Sequence, residues 1–587
     1  MSKIGVTGGS TPITIKANAQ AQSIYELFAG KVFRVPKYQR SYAWTQTPNL
    51  EQFWDDLKES LQIDREHYWG PITLMATAET VYCNEEDTTY KVYDVVDGQQ
   101  RITTIYLFLL ALSEMGKPAI RRNFVKCGDI HRVILGGLND QFLKELVDGK
   151  DPSPKIGTNR RVKTAFEYFK KQIGDFKRFD DLSKHLQNVT FSLEFVVQDK
   201  SLAVKAFETL NDRGKQLTLL DKTKSFLMFY SLRYLNSNLD DMINTAFGDI
   251  FTNYDFIKQS GDTNRVNYIR SDGFSEDELL RFFYHYFAKY AITKYSLTTA
   301  YDYDMSANDV FEDFLKRSCE YLKKGKLLGD FTEDFLKSFA KFVSSFKAIT
   351  DKISTDIQFK KLFSFLGIST RIYPLIVSLE AEGLLDKKML DAVESLDLRV
   401  YKVRGTDPRA GLYNNAISQI KIKPDHSQIY SSIKDFAEEF MSEAEFRNVL
   451  GGSMYSNEAT KYILWEFEKN QESSFNGSDY DFYKTLQKEH ILSPNLWSTL
   501  NLKALGFKES TEFFASVYKL GNLCLLEEKI NKRIGDKVPR SKANDYQQSN
   551  VTSTQKLGYH LSNDDFMKSD IDQRTKQITD FCVSRWA

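Results

Sequence analysis

Cysteine is scarce in this chain. Five residues (Cys83, Cys127, Cys319, Cys524 and Cys582) are spread over 587, odd in number and unpaired by spacing, so no disulfide framework is expected and a reducing compartment suits the composition. Net charge is missing as well: 79 basic residues offset 79 acidic ones. Contact with a polyanion would therefore have to come from local basic patches. No apolar stretch is long enough to cross a bilayer, and no basic region followed by an apolar run opens the chain; a soluble, cytoplasmic protein with no membrane attachment is the expectation. The absence of a Gly-x-x-x-x-Gly-Lys-Ser/Thr segment argues against a P-loop ATPase, and Gly8-Gly9-Ser10 lacks the Gly-x-Gly-x-x-Gly frame. No solenoid-like period is present.

Material for a core is plentiful. Apolar residues make up 42% and aromatic residues 14% of the chain, which excludes a disordered polypeptide, and the length accommodates about three domains.

The carboxy-terminal part carries one chemical pattern. His490 lies in Glu489-His490-Ile491-Leu492-Ser493-Pro494, followed by Leu520-Gly521-Asn522-Leu523 and then Asn531. A short strand can present one imidazole to water while a following helix returns an amide oxygen to a divalent cation, the layout of a metal-assisted phosphodiester-cleaving site. A histidine that titrates near pH ~6.5 can take a proton from water, and Mg2+ or Mn2+ accepts hard oxygen ligands. His490 is the candidate general base. Glu489 alternates to the opposite side of a strand, so it reaches the same cation only if the backbone twists or bulges there; Asn531 ranks above it as a ligand. The run Lys529, Lys532, Arg533, Lys537, Arg540 and Lys542 contains a single acid, Asp536. Such a run is commonly a solvated face, and beside a phosphodiesterase site it can also hold a phosphate backbone.

This pattern resembles the HNH (ββα-metal) nucleases, in which an acidic-His pair, an Asn-Leu pair and a distal Asn or His build a one-metal site. Carried over, the resemblance implies a catalytic set of His490, Asn522 and Asn531, with His490 as base, Asn522 bracing the loop, and Asn531 and Glu489 at the metal. Position 489 is Glu where Asp is usual in that class, and Ser493 lengthens the usual His-Ile-x-Pro step by one residue. The cysteine count argues against a zinc-braced version.

The amino-terminal part carries a second pattern. Lys91 to Val96 reads as a strand, Asp97-Gly98-Gln99-Gln100-Arg101 as a turn, and Ile102 to Met115 as an apolar helix. A strand that turns through Gly into a helix exposes backbone N–H groups suited to phosphate. Arg101 could add a planar cationic fork, and Asp97 could hold a cation or orient water. The plainer alternative is that Asp97 and Arg101 pair across the turn while Tyr38, Tyr42 and Trp44 fill a core. Phe207-Glu208-Thr209-Leu210-Asn211-Asp212-Arg213-Gly214 reads as a helix end and turn, with a new helix beginning near Thr218 or Asp221.

Tyr38-Gln39-Arg40-Ser41-Tyr42-Ala43-Trp44, the Asp97 to Arg101 turn and the Phe207 to Leu217 segment, in this order and ahead of an HNH pattern, resemble the GmrSD-type family of modification-dependent (type IV) restriction nucleases and related phage-defence proteins. The resemblance spans roughly residues 20–235 and 440–560. It implies a ParB/sulfiredoxin-like amino-terminal module that binds and hydrolyses nucleoside triphosphate through Gln39, Arg40, Asp97, Gly98, Gln99, Gln100, Arg101, Glu208, Asn211 and Arg213. It also implies a coupled nuclease acting on DNA, modified phage DNA above all.

Between these modules the pattern is helical. Ser275 and Glu278 precede Leu279, Phe282, Phe283, Tyr286, Phe287 and Tyr290 at helical spacing, and further helices are expected near 307–325, 331–350 and 385–400. Gln471 to Asp481 reads as a loop. The expected fold is α+β: a ParB/sulfiredoxin-like module over 1–235, a helical middle region over 236–435 that links the modules and offers DNA-contacting surface or a homodimer interface, and an HNH-type domain over 436–587. Two rivals stay open: a nucleotide-gated DNA-binding regulator whose nuclease site is silent, and an RNA-directed HNH nuclease.

Overall fold

Lys91 to Val96 forms the centre of a longer strand, and the helix after it is buried on all sides. In the computed structural model, which describes residues 19–36, 42–63, 66–136, 138–154, 157–176, 178–188, 190–197, 218–323, 327–471 and 479–587, the chain forms two compact units. One comprises Met1–Phe256 with Gly325–Ala340, the other Ile257–Lys324 with Lys341–Ala587.

The first unit is built on a mixed sheet of β1 (Ala19–Ser23), β2 (Lys31–Arg34), β3 (His67–Cys83), β4 (Thr88–Asp97), β5 (Val133–Ile134) and β6 (Thr190–Val197), in the spatial order β1-β6-β3-β4-β2-β5. β3 and β4 are an antiparallel hairpin; β2 runs parallel to β4, and β3 parallel to β6. After Gly98 comes α1 (Gln99–Glu114), which packs against α2 (Gly157–Gly174). Its Ile102, Ile105, Tyr106, Phe108 and Leu109 are almost fully buried. A helix apolar all round has no solvent face to present, and each such side chain contributes about 1.5–3 kcal/mol by leaving water.

Cys83, at the end of β3, is bonded to Cys127, with their Cα atoms 6.6 Å apart. This corrects the reading of five unpaired thiols. The partners are 44 residues apart, and only the return of the chain beside the hairpin brings them together. Cys319, Cys524 and Cys582 are free and buried.

The second unit is helix-rich, as the middle-region periodicity predicts. Ser275 caps α4 (Glu276–Tyr295), its hydroxyl accepting the Glu278 N–H at 3.2 Å, and Leu279, Phe282, Phe283, Tyr286 and Phe287 are buried. α5 (Lys387–Leu396) falls where a helix was expected. After α6 (Thr460–Gln471) come β7 (Leu486–His490), β8 (Leu523–Glu527), α7 (Glu528–Ile534), α8 (Pro539–Tyr546) and α9 (Lys568–Trp586). Most of the expected loop after Gln471 lies outside the described residues. β7 and β8 pair antiparallel, Leu523 opposite His490 and Glu527 opposite Leu486, with no break in register. Ile491, Leu492, Cys524, Leu526, Ile534 and Tyr546 share one core around them. The whole is α+β in the broad sense, mixed and helix-rich with a small sheet. Among the described residues no helix is long and apolar enough to cross a membrane.

Candidate functional site

His490 is the last residue of β7, half-buried against two tyrosines. Its ring lies 4.1 Å from that of Tyr455, centroid to centroid, and 5.6 Å edge-on from Tyr518. Burial pushes its pKa down to about 4, with the Lys542 and Lys488 charges acting in the same direction and Asp536 against them. The imidazole is therefore neutral at pH 7, a form able to accept a proton. Its Nε2 is buried and has no hydrogen-bond partner among the described residues.

Glu489 lies on the other face. Strand alternation separates it from His490, and the unbroken register supplies none of the bulge that would turn it round. Its carboxylate meets the Lys542 ammonium at 2.6 Å and the Tyr546 hydroxyl at 3.2 Å. The Lys542 side chain is 1% exposed and also donates to the His490 carbonyl at 2.7 Å. Burial raises the Glu489 pKa while Lys542 opposes the rise. A cation on that carboxylate oxygen would have to displace both donors.

Asn522 ties the segment after His490 to the end of the preceding helix. It is fully buried, accepts the Leu492 N–H at 2.9 Å, and donates to the carbonyls of Leu492 (2.9 Å) and Val517 (2.7 Å). Gly521 before it serves a packing purpose: a Cβ there would sit 2.0 Å from the Ile571 carbonyl oxygen of α9. Asn531, on α7, donates to Gln487 Oε1 at 2.8 Å. Gln487 shares the Glu489 face of β7 by alternation, so the Asn531 and His490 side chains are not in contact. The Asn531 Oδ1 makes no hydrogen bond among the described residues.

The amino-terminal turn follows its plainer reading in part. Gly98 is left-handed, with φ 90°, and its missing Cβ leaves room for Ile72 and Pro71 of β3. Arg101 bonds back to the Pro71 carbonyl and lies 3.3 Å from Asp97. Gln99 and Gln100 are buried, and Gln100 accepts the Ala43 N–H at 2.8 Å. Tyr42, also buried, hydrogen-bonds to Thr104 on α1 at 2.8 Å. The first motif is thus seated directly on the second. Gln39, Arg40, Glu208, Asn211 and Arg213 lie outside the described residues. Thr218 caps α3 (Leu219–Tyr234), its hydroxyl accepting the Asp221 N–H at 3.2 Å, where the new helix was expected.

Comparison with protein families agrees with both halves. The model for the GmrSD restriction endonuclease N-terminal domain matches residues 24–228, and that for the GmrSD restriction endonucleases C-terminal domain matches residues 435–581. The chain belongs to the GmrSD restriction endonuclease family. No curated protein matches it. The C-terminal family match continues past the expected 560 through most of α9, whose Ile571 and Thr575 crowd Gly521.

Two site residues of this GmrSD-family chain were passed over in the motif reading. Asp536 is held by Ser493 and, at 2.7 Å, by Asn495; these bonds lower its pKa, and its charge reaches His490. Its signal was visible, a lone acid in a basic run. Ser493, the extra residue in the His-Ile-x-Pro step, supplies one of those bonds. Lys542 belonged to the same run and is an interior group, not part of a phosphate-holding face. Arg533 pairs with Asp545 at 2.7 Å and Lys532 with Glu528 at 2.5 Å, so that face is partly neutralised. Among the described residues no group of three or more His, Cys, Asp or Glu side chains could enclose a metal ion. The Asp536 carboxylate suits a hard cation such as Mg2+, which keeps several waters and asks few protein ligands.

Proposed function

We propose that this protein is a metal-dependent DNA endonuclease for defence against modified phage DNA, cutting through His490 under control of a nucleoside triphosphate held by the amino-terminal motifs. Membership of the GmrSD restriction endonuclease family supports restriction of foreign DNA as the role. The observation that carries the chemistry is the position of the His490 imidazole at the end of β7, where no described residue engages its Nε2.

In the proposed step, water gives its proton to His490 Nε2 as its oxygen bonds to phosphorus, the P–O bond to the leaving strand breaks, and the departing oxygen takes a proton from solvent. Asn522 fixes the loop that follows His490, and Tyr455 and Tyr518 hold the ring. The Asp536 carboxylate, whose charge reaches His490, is the group that would hold a divalent cation there. When bound, that cation supplies charge neutralisation at the phosphate. The nucleotide role rests on motif order and on the Gln100–Ala43 and Tyr42–Thr104 bonds, which lock two of the three motifs together.

The rival of a silent nuclease draws support from one observation, the Glu489 carboxylate engaged by Lys542. One experiment separates the readings. Purified wild type and His490→Ala are incubated with Mg2+ and plain, glucosylated, methylated or phosphorothioated DNA, and with matched RNA, with and without nucleoside triphosphate. Wild type is expected to nick DNA, and His490→Ala to be slower by about 10²- to 10⁴-fold with an unchanged melting temperature. Equal nicking by a folded His490→Ala protein refutes the base assignment; cleavage of RNA alone moves the substrate class.

A further inference from the structure

A cleft of about 650 Å³ opens in the second unit between α5, α6, α9 and the segment around helix Ile357–Lys360, and none of the His490 site lines it. That volume is in the range of small-molecule sites. One wall holds a buried ion pair, Lys361 with Glu466 at 2.6 Å, their side chains 10% and 6% exposed. Lys361 bonds to Oε2 of that carboxylate. The other oxygen, Oε1, is buried with no hydrogen-bond partner among the described residues. Buried polar atoms normally find a partner in protein or water, so this carboxylate oxygen is free to accept a ligand's donor.

The cations sort into two kinds. Arg585 is neutralised by Glu394 at 3.0 Å and Asp391 at 3.3 Å. Lys387 and Lys469 line the same cleft and have no ion-pair partner among the described residues. Burial, together with repulsion from Lys361 and Arg585, lowers the Lys469 pKa, and the Glu466 carboxylate offsets part of that fall. Asp356 is engaged with its own helix, accepting the Gln358 N–H at 2.8 Å. Phe581 adds a flat apolar wall.

We infer that this cleft binds a nucleoside monophosphate, its phosphate against Lys387 and Lys469, a sugar hydroxyl or ring N–H donated to Glu466 Oε1, and its base beside Phe581. The same chemistry is carried by a free nucleotide and by the 5′-phosphorylated end of a short strand. An amino acid offers opposite charges as well, but fills little of the volume.

The test uses the full chain in metal-free buffer. AMP, GMP, CMP and UMP, a 5′-phosphorylated trinucleotide, inorganic phosphate and glutamate are titrated by calorimetry into wild type, Lys469→Glu and Arg101→Ala. Hydrogen exchange is followed over residues 387–396 and 460–471. Arg101→Ala keeps binding at the amino-terminal turn from being mistaken for binding here. Expected is saturable binding of at least one monophosphate or of the trinucleotide, with protection of both segments, unchanged in Arg101→Ala and about tenfold or more weaker in Lys469→Glu, whose rim charge is reversed. A free nucleotide as the ligand gives the tighter isotherm with monophosphates, a strand end with the trinucleotide. The inference is overturned if neither segment gains protection, if Lys469→Glu binds like wild type while melting like it, or if phosphate or glutamate binds as tightly as the nucleotides.

Discussion

Replacing Lys542 by Met should damage the second unit more than any surface lysine would. The ammonium is buried and serves three acceptors: Glu489 at 2.6 Å, the His490 carbonyl at 2.7 Å and the Ile491 carbonyl at 3.4 Å. Met preserves the volume and apolar stem but leaves the Glu489 carboxylate in the interior without its cation, facing the Tyr546 hydroxyl and the His490 backbone N–H. Removing one partner of a buried pair costs about 3–5 kcal/mol, most of it from the charge left behind. For a unit of this size that corresponds to a melting-point loss of about 5–10 °C. Glu489→Gln in the Lys542→Met background removes the stranded charge and should restore much of the loss. Thermal unfolding of wild type, the single variants and the double variant, followed by near-UV circular dichroism, measures the coupling. A Lys542→Met melting point within about 1 °C of wild type, or a double variant no better than the single, would refute the claim that this pair holds the end of β7.

Other perturbations have definite signs. Asp397 is fully buried; burial pushes its pKa up to about 7, although Oδ1 accepts the Ser369 N–H at 3.0 Å. Between about pH 4 and 7 the folded state retains a proton that the unfolded state has lost, so stability falls as pH rises through that window and stays lower above it. Asp397→Asn should flatten this slope and melt higher than wild type at pH 8, as parallel melts at pH 5 and 8 would reveal. Gly521→Ala drives a Cβ into the α9 backbone and should destabilise by about 3 kcal/mol or more, read from urea unfolding; wild-type stability would mean that α9 yields. Nucleoside triphosphate should change the cleavage rate of wild type, in either direction, and leave that of Arg101→Ala unaltered, since coupling requires the ligand to discriminate between two states. Equal wild-type rates at saturating nucleotide would leave two independent activities on one chain.

Local patterns were legible because their causes lie within a few residues. The Ser275 and Thr218 caps, the apolar α1 and the strand ending at His490 each follow from neighbouring side chains and hydrogen bonds. The readings that shifted depended on partners remote in sequence. The Pro71 carbonyl that Arg101 meets lies thirty residues away on β3. Cys83 and Cys127 read as free thiols until the chain returns past the hairpin.

The amino-acid order by itself determined the family, the two motif-bearing regions and the parity of β7, since a period of two sends Glu489 and His490 to opposite faces whatever surrounds them. What covers each face was decided only in three dimensions. α8 arrives over fifty residues later to place Lys542 and Tyr546 on Glu489, while Tyr455 and Tyr518 close over His490 from other segments. The same carboxylate would be a ready metal ligand in water and is an ion-pair partner in the interior, because burial makes an unpaired charge costly and gives it to the nearest cation within the fold.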